Sequence, residues 1–152
     1  MPRDSRMSRV LHVLIHMDRH IERPTSLQIS KMLGTNPVVV RRMMSGLRDQ
    51  GIVVSTKGRG GGWQLTRDLK SVSLYDVYQA LGKPALFNIG PQSENPQCYV
   101  EQAVDARIEQ TLSEAEDLLK QRFTEISIAE IAADFERRMA AQSDTVEPAC
   151  IT

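Results

Sequence analysis

Side chains suited to nucleic-acid contact are concentrated between residues 35 and 50 of this 152-residue chain. Asn36 is a favourable helix N-cap, Pro37 suits the first helical position, and Gly51 would end the same helix. Polar groups near the start of such a helix, directed away from its apolar face, can reach base edges and phosphates in a major groove. The candidate contacts are Thr35, Asn36, Pro37, Val38, Arg41, Arg42 and Ser45.

The opposite face of this helix is predicted to be core. Its apolar stripe has the spacing of one helical face and consists of Val40, Met43, Met44 and Leu47. A shorter helix is predicted just before it, because Thr25 or Ser26 can cap an apolar segment that ends near Gly34. We include Ser26 and Gln28, at the start of that helix, among the candidate DNA contacts.

A glycine-rich basic segment, Lys57-Gly58-Arg59-Gly60-Gly61-Gly62-Trp63, follows the helix. The β-like runs 52–56 and 63–66 flank it and predict a hairpin. Its glycines permit positive φ angles, and an arginine at the tip could enter a narrow minor groove. It lacks the Lys-Ser/Thr ending of a nucleotide-binding loop, and a strand follows it. We therefore predict the wing of a winged helix-turn-helix, with Lys57, Arg59 and Gly60 on DNA.

Charge divides the chain into two unlike halves. The whole chain has 19 basic and 19 acidic residues, but residues 1–67 have 12 basic against 4 acidic, a net charge of +8. Residues 68–152 have 7 basic against 15 acidic, a net charge of −8. A basic region is the electrostatic mark of a polyanionic partner. We expect the acidic half to face away from DNA.

Bulk properties exclude several classes of protein. No stretch of about 18 apolar residues is present, so we expect no membrane span. No signal-peptide segment opens the chain, and we expect a cytoplasmic protein. Cys98 and Cys150 lie too far apart to suggest a disulfide framework. No nucleophile–base pair can be argued from the sequence, so we expect no enzyme and no small-molecule substrate.

The remaining segments predict an α+β, mainly α, architecture. Apolar residues make 7–21 a largely buried first helix, and Ser73 and Ser127 each begin a capping box that opens a helix. We expect five parts, listed here in chain order. They are a winged-helix DNA-binding domain (1–82), a loop (83–97), a dimerisation helix (98–124), a C-terminal helix (125–141) and a disordered tail (142–152).

The predicted long helix carries a single apolar stripe with steps of three or four residues. Its members are Val100, Val104, Ile108, Leu112, Ala115, Leu119 and Phe123. A lone amphipathic helix of this length needs a surface to cover its stripe, and the same helix of a second subunit would provide one. The alternative is that the helix folds back on its own domain.

Five segments together resemble the Rrf-two (Rrf2) family of bacterial winged-helix regulators. They are the opening helix, the run from Thr35 to Arg41, the wing from Gly58 to Leu65, the helix start at Ser73, and the long helix after Cys98. Members include an iron–sulfur cluster regulator, a nitric-oxide-sensing repressor and a cysteine-metabolism repressor. The resemblance covers roughly residues 6–140. It implies a homodimeric transcription factor, usually a repressor, that binds a palindromic operator through paired recognition helices and wings.

One departure from that family concerns cysteine. Cluster-binding members carry three cysteines between the wing and the long helix, where this chain has only Cys98. An iron–sulfur cluster usually takes four protein ligands, so we expect no cofactor. Cys98 would lie at a helix start, which lowers thiol pKa and favours a reactive thiolate, although Glu94 and Glu101 oppose this. The alternative is an inert cysteine at the dimer interface.

His12, His16 and His20 recur every four residues on the first helix, a spacing that can seat a metal between two imidazoles. They also form nearly the only polar stripe of that helix. A solvated or interface-facing stripe is the simpler explanation, and we expect no metal site.

The sequence therefore predicts a sequence-specific DNA-binding transcriptional regulator. We expect a homodimeric transcriptional repressor that binds double-stranded DNA and responds to oxidants or electrophiles through Cys98. The alternative is a regulatory protein that binds a metabolic enzyme, with DNA binding secondary. The cationic array of Arg41, Arg42 and Arg59 favours the first, since a pure interaction module does not need it.

Overall fold

A computed structural model describes residues 4–19, 22–91 and 97–142. The elements in chain order are α1 (Arg6–Arg19), α2 (Ser26–Leu33), α3 (Pro37–Asp49), β1 (Val53–Thr56), β2 (Gly62–Leu65), a 3-10 turn (Leu69–Ser71), α4 (Leu74–Ala80), α5 (Tyr99–Glu125) and α6 (Ile128–Gln142). The two strands pair antiparallel, with Val53 opposite Leu65 and Thr56 opposite Gly62. This order of three helices and a hairpin is the winged helix-turn-helix that the sequence predicts.

Local sequence signals set the helix boundaries. The Thr25 hydroxyl and the Gln28 side chain form a reciprocal capping box at the start of α2, and Gly34 ends the helix with a φ of 61°. Asn36 caps α3 through its side-chain oxygen, and Gly51 follows the helix with a φ of 68°. Left-handed φ values favour glycine, so these two glycines fix where α2 and α3 stop.

The core lies between α1, α3, the hairpin and α4. Each contributes side chains with little or no exposed surface, among them Val10, Val13 and Leu14 of α1, Val40, Met43, Met44 and Leu47 of α3, Ile52, Val53 and Trp63 of the hairpin, and Val77 of α4. The predicted apolar stripe of α3 is buried at all four positions, which confirms the sequence periodicity.

The C-terminal helix joins the same core. The Ile128 side chain is fully buried in it, and a β-bridge pairs Ser127 with Ser73. Two backbone bonds of 2.9 Å hold this bridge, from the Leu74 amide to the Ile126 carbonyl and from the Ile128 amide to the Val72 carbonyl. Helix α6 is thus attached to the winged helix and is not a separate appendage. It includes Gln142, which we expected in the tail, and 143–152 lie outside the described residues.

Helix α5 differs from the others because none of its residues is buried. Its C-terminal part packs on α4, where the Tyr78 and Phe123 rings lie 6.1 Å apart. That contact agrees in part with the alternative of a helix folded on its own domain. The helix begins at Tyr99 and ends at Glu125, close to the predicted bounds. Among the described helices, none combines the length and apolarity needed to cross a membrane.

Candidate nucleic-acid interface

Helix α3 presents its polar face to solvent because its opposite face is buried. Val38, Arg41 and Arg42 are exposed, whereas Thr35, Pro37 and Ser45 are half-buried. The Asn36 side-chain oxygen accepts the Val38 amide at 2.7 Å, which leaves the amide group of that side chain as a donor. The structure therefore places the predicted recognition residues in one continuous stretch, from the turn before α3 to Ser45 within it.

A close contact fixes the angle of α3 against α4. A Cβ added to Gly46 would overlap the carbonyl oxygen of Ala80, so only glycine fits this crossing point. The exposed face of α3 is consequently held by backbone packing as well as by its apolar stripe.

The hairpin places the wing residues at its exposed tip. Lys57, Arg59 and Gly60 are exposed, and Gly58 and Gly60 have φ values of 89° and 74°. The Gly61 amide donates to the Gly58 carbonyl at 3.0 Å and closes the turn. Arg59 therefore lies on a tight, glycine-built loop that could approach another polymer closely.

The predicted DNA-contacting cations have no acidic partner among the described residues, in contrast with several cations of the C-terminal half. Within the described part of the chain, no ion pair involves Arg41, Arg42, Lys57 or Arg59. In the C-terminal half, Arg138 lies 2.8 Å from Asp134, and Lys120, Arg122 and Arg137 are also paired with nearby carboxylates. Unpaired cations keep their full charge available to a polyanion.

Ser26 and Gln28 contact other parts of this protein. The Gln28 side-chain oxygen accepts the Thr25 amide at 2.8 Å, within the cap of α2. The Ser26 hydroxyl accepts the indole N–H of Trp63 at 2.9 Å. Sequence spacing gave no sign of this second bond, because the two residues are 37 positions apart.

The predicted dimer stripe is most exposed in the N-terminal half of α5. Val100 is 71% exposed, Val104 and Ile108 are also exposed, and Leu112, Ala115 and Leu119 are half-buried. Tyr99 and Leu118, which the predicted stripe omits, are 85% and 61% exposed. Among the described residues, the stripe side chains in the N-terminal half of α5 are therefore left exposed, and those in its C-terminal half are partly covered.

Cys98 is exposed at the N-cap of α5 and makes no side-chain cap hydrogen bond. The backbone N–H groups of Glu101 and Val100 nonetheless lie close enough to lower the pKa of its thiol. A lowered thiol pKa increases the thiolate fraction near neutral pH. Glu94 and Cys150, which also entered the sequence argument, lie outside the described residues.

The first helix brings two of the three histidines together. The rings of His12 and His16 are 4.7 Å apart, and His16 also faces the Phe135 ring of α6 at 6.4 Å. His20 lies outside the described residues. Over the described ranges, no three His, Cys, Asp or Glu side chains are grouped as metal ligands would be.

Comparison with known proteins gives consistent matches. The family model Rrf2, described as an iron-dependent transcriptional regulator, matches residues 3–134. YwnA of Bacillus subtilis, named as a candidate HTH-type transcriptional regulator, is 30% identical over 130 residues, which cover 84% of this chain and 95% of YwnA.

Two solved structures resemble the chain over most of their length. A crystal structure of a candidate DNA-binding protein is 30% identical with a TM-score of 0.64, over 84% of this chain and 98% of that one. A candidate transcriptional regulator from Lactobacillus plantarum is 21% identical with a TM-score of 0.74, over 95% and 100%. At that identity, the second match supports the fold alone.

Proposed function

The chain belongs to the Rrf2 family of DNA-binding transcriptional regulators, and we propose that it is a homodimeric repressor of a palindromic operator. The family and its named relatives are regulators of transcription, not enzymes. A protein of this kind acts where the DNA is, and we assign it to the cytoplasm.

The observation that carries the proposed DNA contact is the cationic surface of Arg41, Arg42 and Arg59, which form no ion pair with any described residue. Arg41 and Arg42 are exposed on α3, and Arg59 is exposed at the tip of the hairpin. In this arrangement α3 enters a major groove and contacts base edges through its N-terminal residues. The wing places Arg59 beside it, where a narrow minor groove attracts a guanidinium group. Lys57 and Gly60 approach the adjacent phosphates.

Fluorescence anisotropy with a labelled duplex, selected from random-sequence DNA by the native protein, tests this contact. Binding should weaken steeply with salt, because each neutralised phosphate releases counterions and adds close to one unit to the log–log slope. Arg59→Ala should reduce affinity by about 1–3 kcal/mol. Arg138→Ala, which removes the same charge from the acidic half, is the matched control. A salt-independent affinity would indicate a partner other than DNA.

The proposed dimer follows from the uncovered stripe of α5. Covering it with the same stripe of a second copy would remove Val100, Val104 and Ile108 from water and generate a two-fold axis. A two-fold axis pairs two recognition helices, and paired helices require a palindromic site with half-sites about one helical turn apart. The proposed interface consists of Val100, Val104, Ile108, Leu112, Ala115 and Leu119.

The family description refers to iron, but the residues of this chain do not fit a cysteine-held iron–sulfur cluster. The whole sequence has two cysteines, and of these only Cys98 lies in the segment before α5. Such a cluster usually takes four protein ligands, so we propose that this member works without one. Protein purified under anaerobic conditions should then contain no stoichiometric iron or acid-labile sulfide.

Cys98 is the candidate thiol for a redox response. Hydrogen peroxide would transfer one oxygen atom to its thiolate, giving a sulfenic acid and hydroxide. The added polar group would lie at the junction between the winged helix and α5, where a small rotation could change the spacing of two recognition helices. Mild peroxide should release DNA from the native protein but not from Cys98→Ser. Equal release from both proteins would assign Cys98 a structural role.

A further inference from the structure

Trp63, the second residue of β2, connects the wing to the helix-turn-helix. Its side chain is only 6% exposed. Its indole N–H donates to the Ser26 hydroxyl at 2.9 Å, and its backbone N–H donates to the Pro24 carbonyl at 2.9 Å. Both acceptors lie in the segment that leads into α2. The wing is therefore held to this segment by a side-chain bond and a backbone bond made by one residue.

The neighbouring residues leave little freedom at this contact. A Cβ added to Gly62 would overlap the carbonyl of Arg23 and lie 2.9 Å from the Pro24 oxygen. Arg23 itself has a left-handed φ of 50°, which is uncommon for a residue with a side chain. The segment 23–25 thus runs directly against β2, on the edge of that strand away from β1. Such close backbone packing resists sliding of the wing relative to α2.

The direction of the Ser26 bond has a further consequence. An indole N–H can only donate, so the Ser26 oxygen must accept and its own O–H remains a donor. Ser26 is the first residue of α2, where backbone N–H groups also lack partners within the helix. A phosphate placed there could accept the serine O–H while the serine oxygen accepts the indole. The same hydroxyl would then bind a DNA phosphate and hold the Trp63 indole of the wing.

We propose that Trp63 is a positioning residue for DNA binding, which acts through Ser26 and Pro24 to fix the wing relative to α2 and α3. With the wing fixed, Arg59 and the recognition helix meet the two grooves of one duplex in a constant register. This inference rests on the proposed DNA contact of Arg59. It differs from a purely structural role for Trp63, which would affect folding but leave the contribution of Arg59 unchanged.

Double-mutant cycles on the selected duplex test the positioning role. On the native background, Arg59→Ala should weaken binding between about fivefold and a hundredfold. Trp63→Phe keeps an aromatic ring and the Ser26 hydroxyl but removes the indole donor, and it should weaken binding about two- to tenfold. If the indole bond positions the wing, the fold loss of affinity caused by Arg59→Ala should be at least about threefold smaller on the Trp63→Phe background than on the native one.

Ser26 variants test the same bond from its other side. Ser26→Ala removes the acceptor and should also reduce the effect of Arg59→Ala, whereas Ser26→Thr keeps the hydroxyl and should preserve that effect. Thermal unfolding of each variant, followed by circular dichroism, separates loss of fold from loss of position. If Trp63→Phe does not fold, the comparison of Ser26→Ala with Ser26→Thr decides the question.

The outcomes separate this inference from the proposed function. If Arg59→Ala has no effect on the native background, the wing does not contact DNA and both proposals about it are wrong. If Arg59→Ala weakens binding equally on every background, the wing contact stands and the positioning role of Trp63 is wrong. The positioning role is supported if Arg59→Ala weakens binding less on the Trp63→Phe and Ser26→Ala backgrounds than on the native one, and by the native amount on the Ser26→Thr background.

Discussion

Helices α3 and α5 each carry one apolar stripe, but among the described residues only the stripe of α3 is buried. Leu47 of α3 has no exposed surface, whereas Val100 of α5 is 71% exposed. Both stripes have helical periodicity, and periodicity shows that a face needs cover without showing what covers it. The difference indicates two roles. Helix α3 is fixed within the chain and displays its polar face, while α5 displays its apolar face.

The α3 and wing surface also differs from helix α6 in how its charges are arranged. Arg41 and Arg42 of α3 and Arg59 of the wing have no acidic partner in the described part of the chain, whereas Arg137 and Arg138 of α6 share Asp134. The Arg138 side chain contributes most to lowering the pKa of that carboxyl group. Charge on the first surface is available to a partner, and charge on the second is compensated locally. This contrast fits a polyanionic partner at the first surface.

The strongest test of this contrast places a charge in the α5 stripe. Ile108→Asp should dissociate the proposed dimer, because it would bury a carboxylate among apolar side chains at a penalty of several kcal/mol. Sedimentation should show monomers or unfolded protein, and operator binding should be lost with the second recognition helix. Leu112→Asp should behave in the same way.

Gln110→Asp is the matched control for these variants, since it adds the same charge to an exposed position on the other side of α5. It should sediment as the native protein does. A folded dimer that survives both stripe substitutions would place the interface elsewhere.

The buried stripe of α3 should respond in a different way. Leu47→Ala removes a fully buried side chain and should lower the free energy of unfolding by about 2–5 kcal/mol. Val38 lies on the other face of the same helix and is 57% exposed. Val38→Ala should therefore leave stability nearly unchanged and weaken DNA binding instead. Denaturant unfolding measures the first effect and anisotropy the second. Similar losses of stability in both variants would contradict the assignment of the two faces.

A smaller effect should distinguish unpaired from paired arginines. Arg42→Ala should weaken DNA binding by about 1 kcal/mol and reduce the magnitude of the salt slope by about one, as expected for one lost phosphate contact. Arg137→Ala, in the compensated cluster of α6, should change neither quantity. Salt titrations of both variants on the same duplex make the comparison. Equal slopes for Arg42→Ala and the native protein would remove Arg42 from the interface.

The sequence could predict features that depend on near neighbours. The caps at Thr25, Asn36 and Ser73 and the glycine at the end of α3 each act over a few residues, so their patterns are visible in the chain. The Trp63–Ser26 bond joins residues 37 positions apart, and its geometry exists only after the hairpin has packed on α2. For such distant partners, sequence spacing carries no information.

The placement of Ile128 was missed for a related reason. Its capping box correctly predicted a helix start at Ser127, but a capping box does not show which surface the helix meets. The stripe of α5 shows again that a local sequence pattern does not identify the surface that an element packs against. Its spacing predicted an apolar face, and nothing in one sequence could show how much of that face the chain itself covers.

The smallest expected effect concerns the helix starts. Helix α6 begins with a capping box in which the Glu130 carboxylate accepts the Ser127 amide at 2.7 Å, whereas Cys98 at the start of α5 makes no side-chain cap bond. The Ser127 amide lowers the pKa of Glu130 below its usual value of 4.5. Because the folded-state pKa is the lower one, Glu130 stabilises the fold above pH 4.5, and this contribution is lost as the pH falls through its folded-state value.

Glu130→Gln should therefore lower stability slightly at pH 7, and the difference from the native protein should shrink as the pH falls below 4.5. Thermal unfolding between pH 7 and pH 3 measures it. Glu114→Gln, within α5, is a control for the loss of one carboxylate from an exposed helix away from any cap. A native-minus-variant difference that does not change with pH would show that Glu130 does not stabilise the start of α6 through its charge. The capping box of α6 would then make no contribution to stability that depends on the protonation of Glu130.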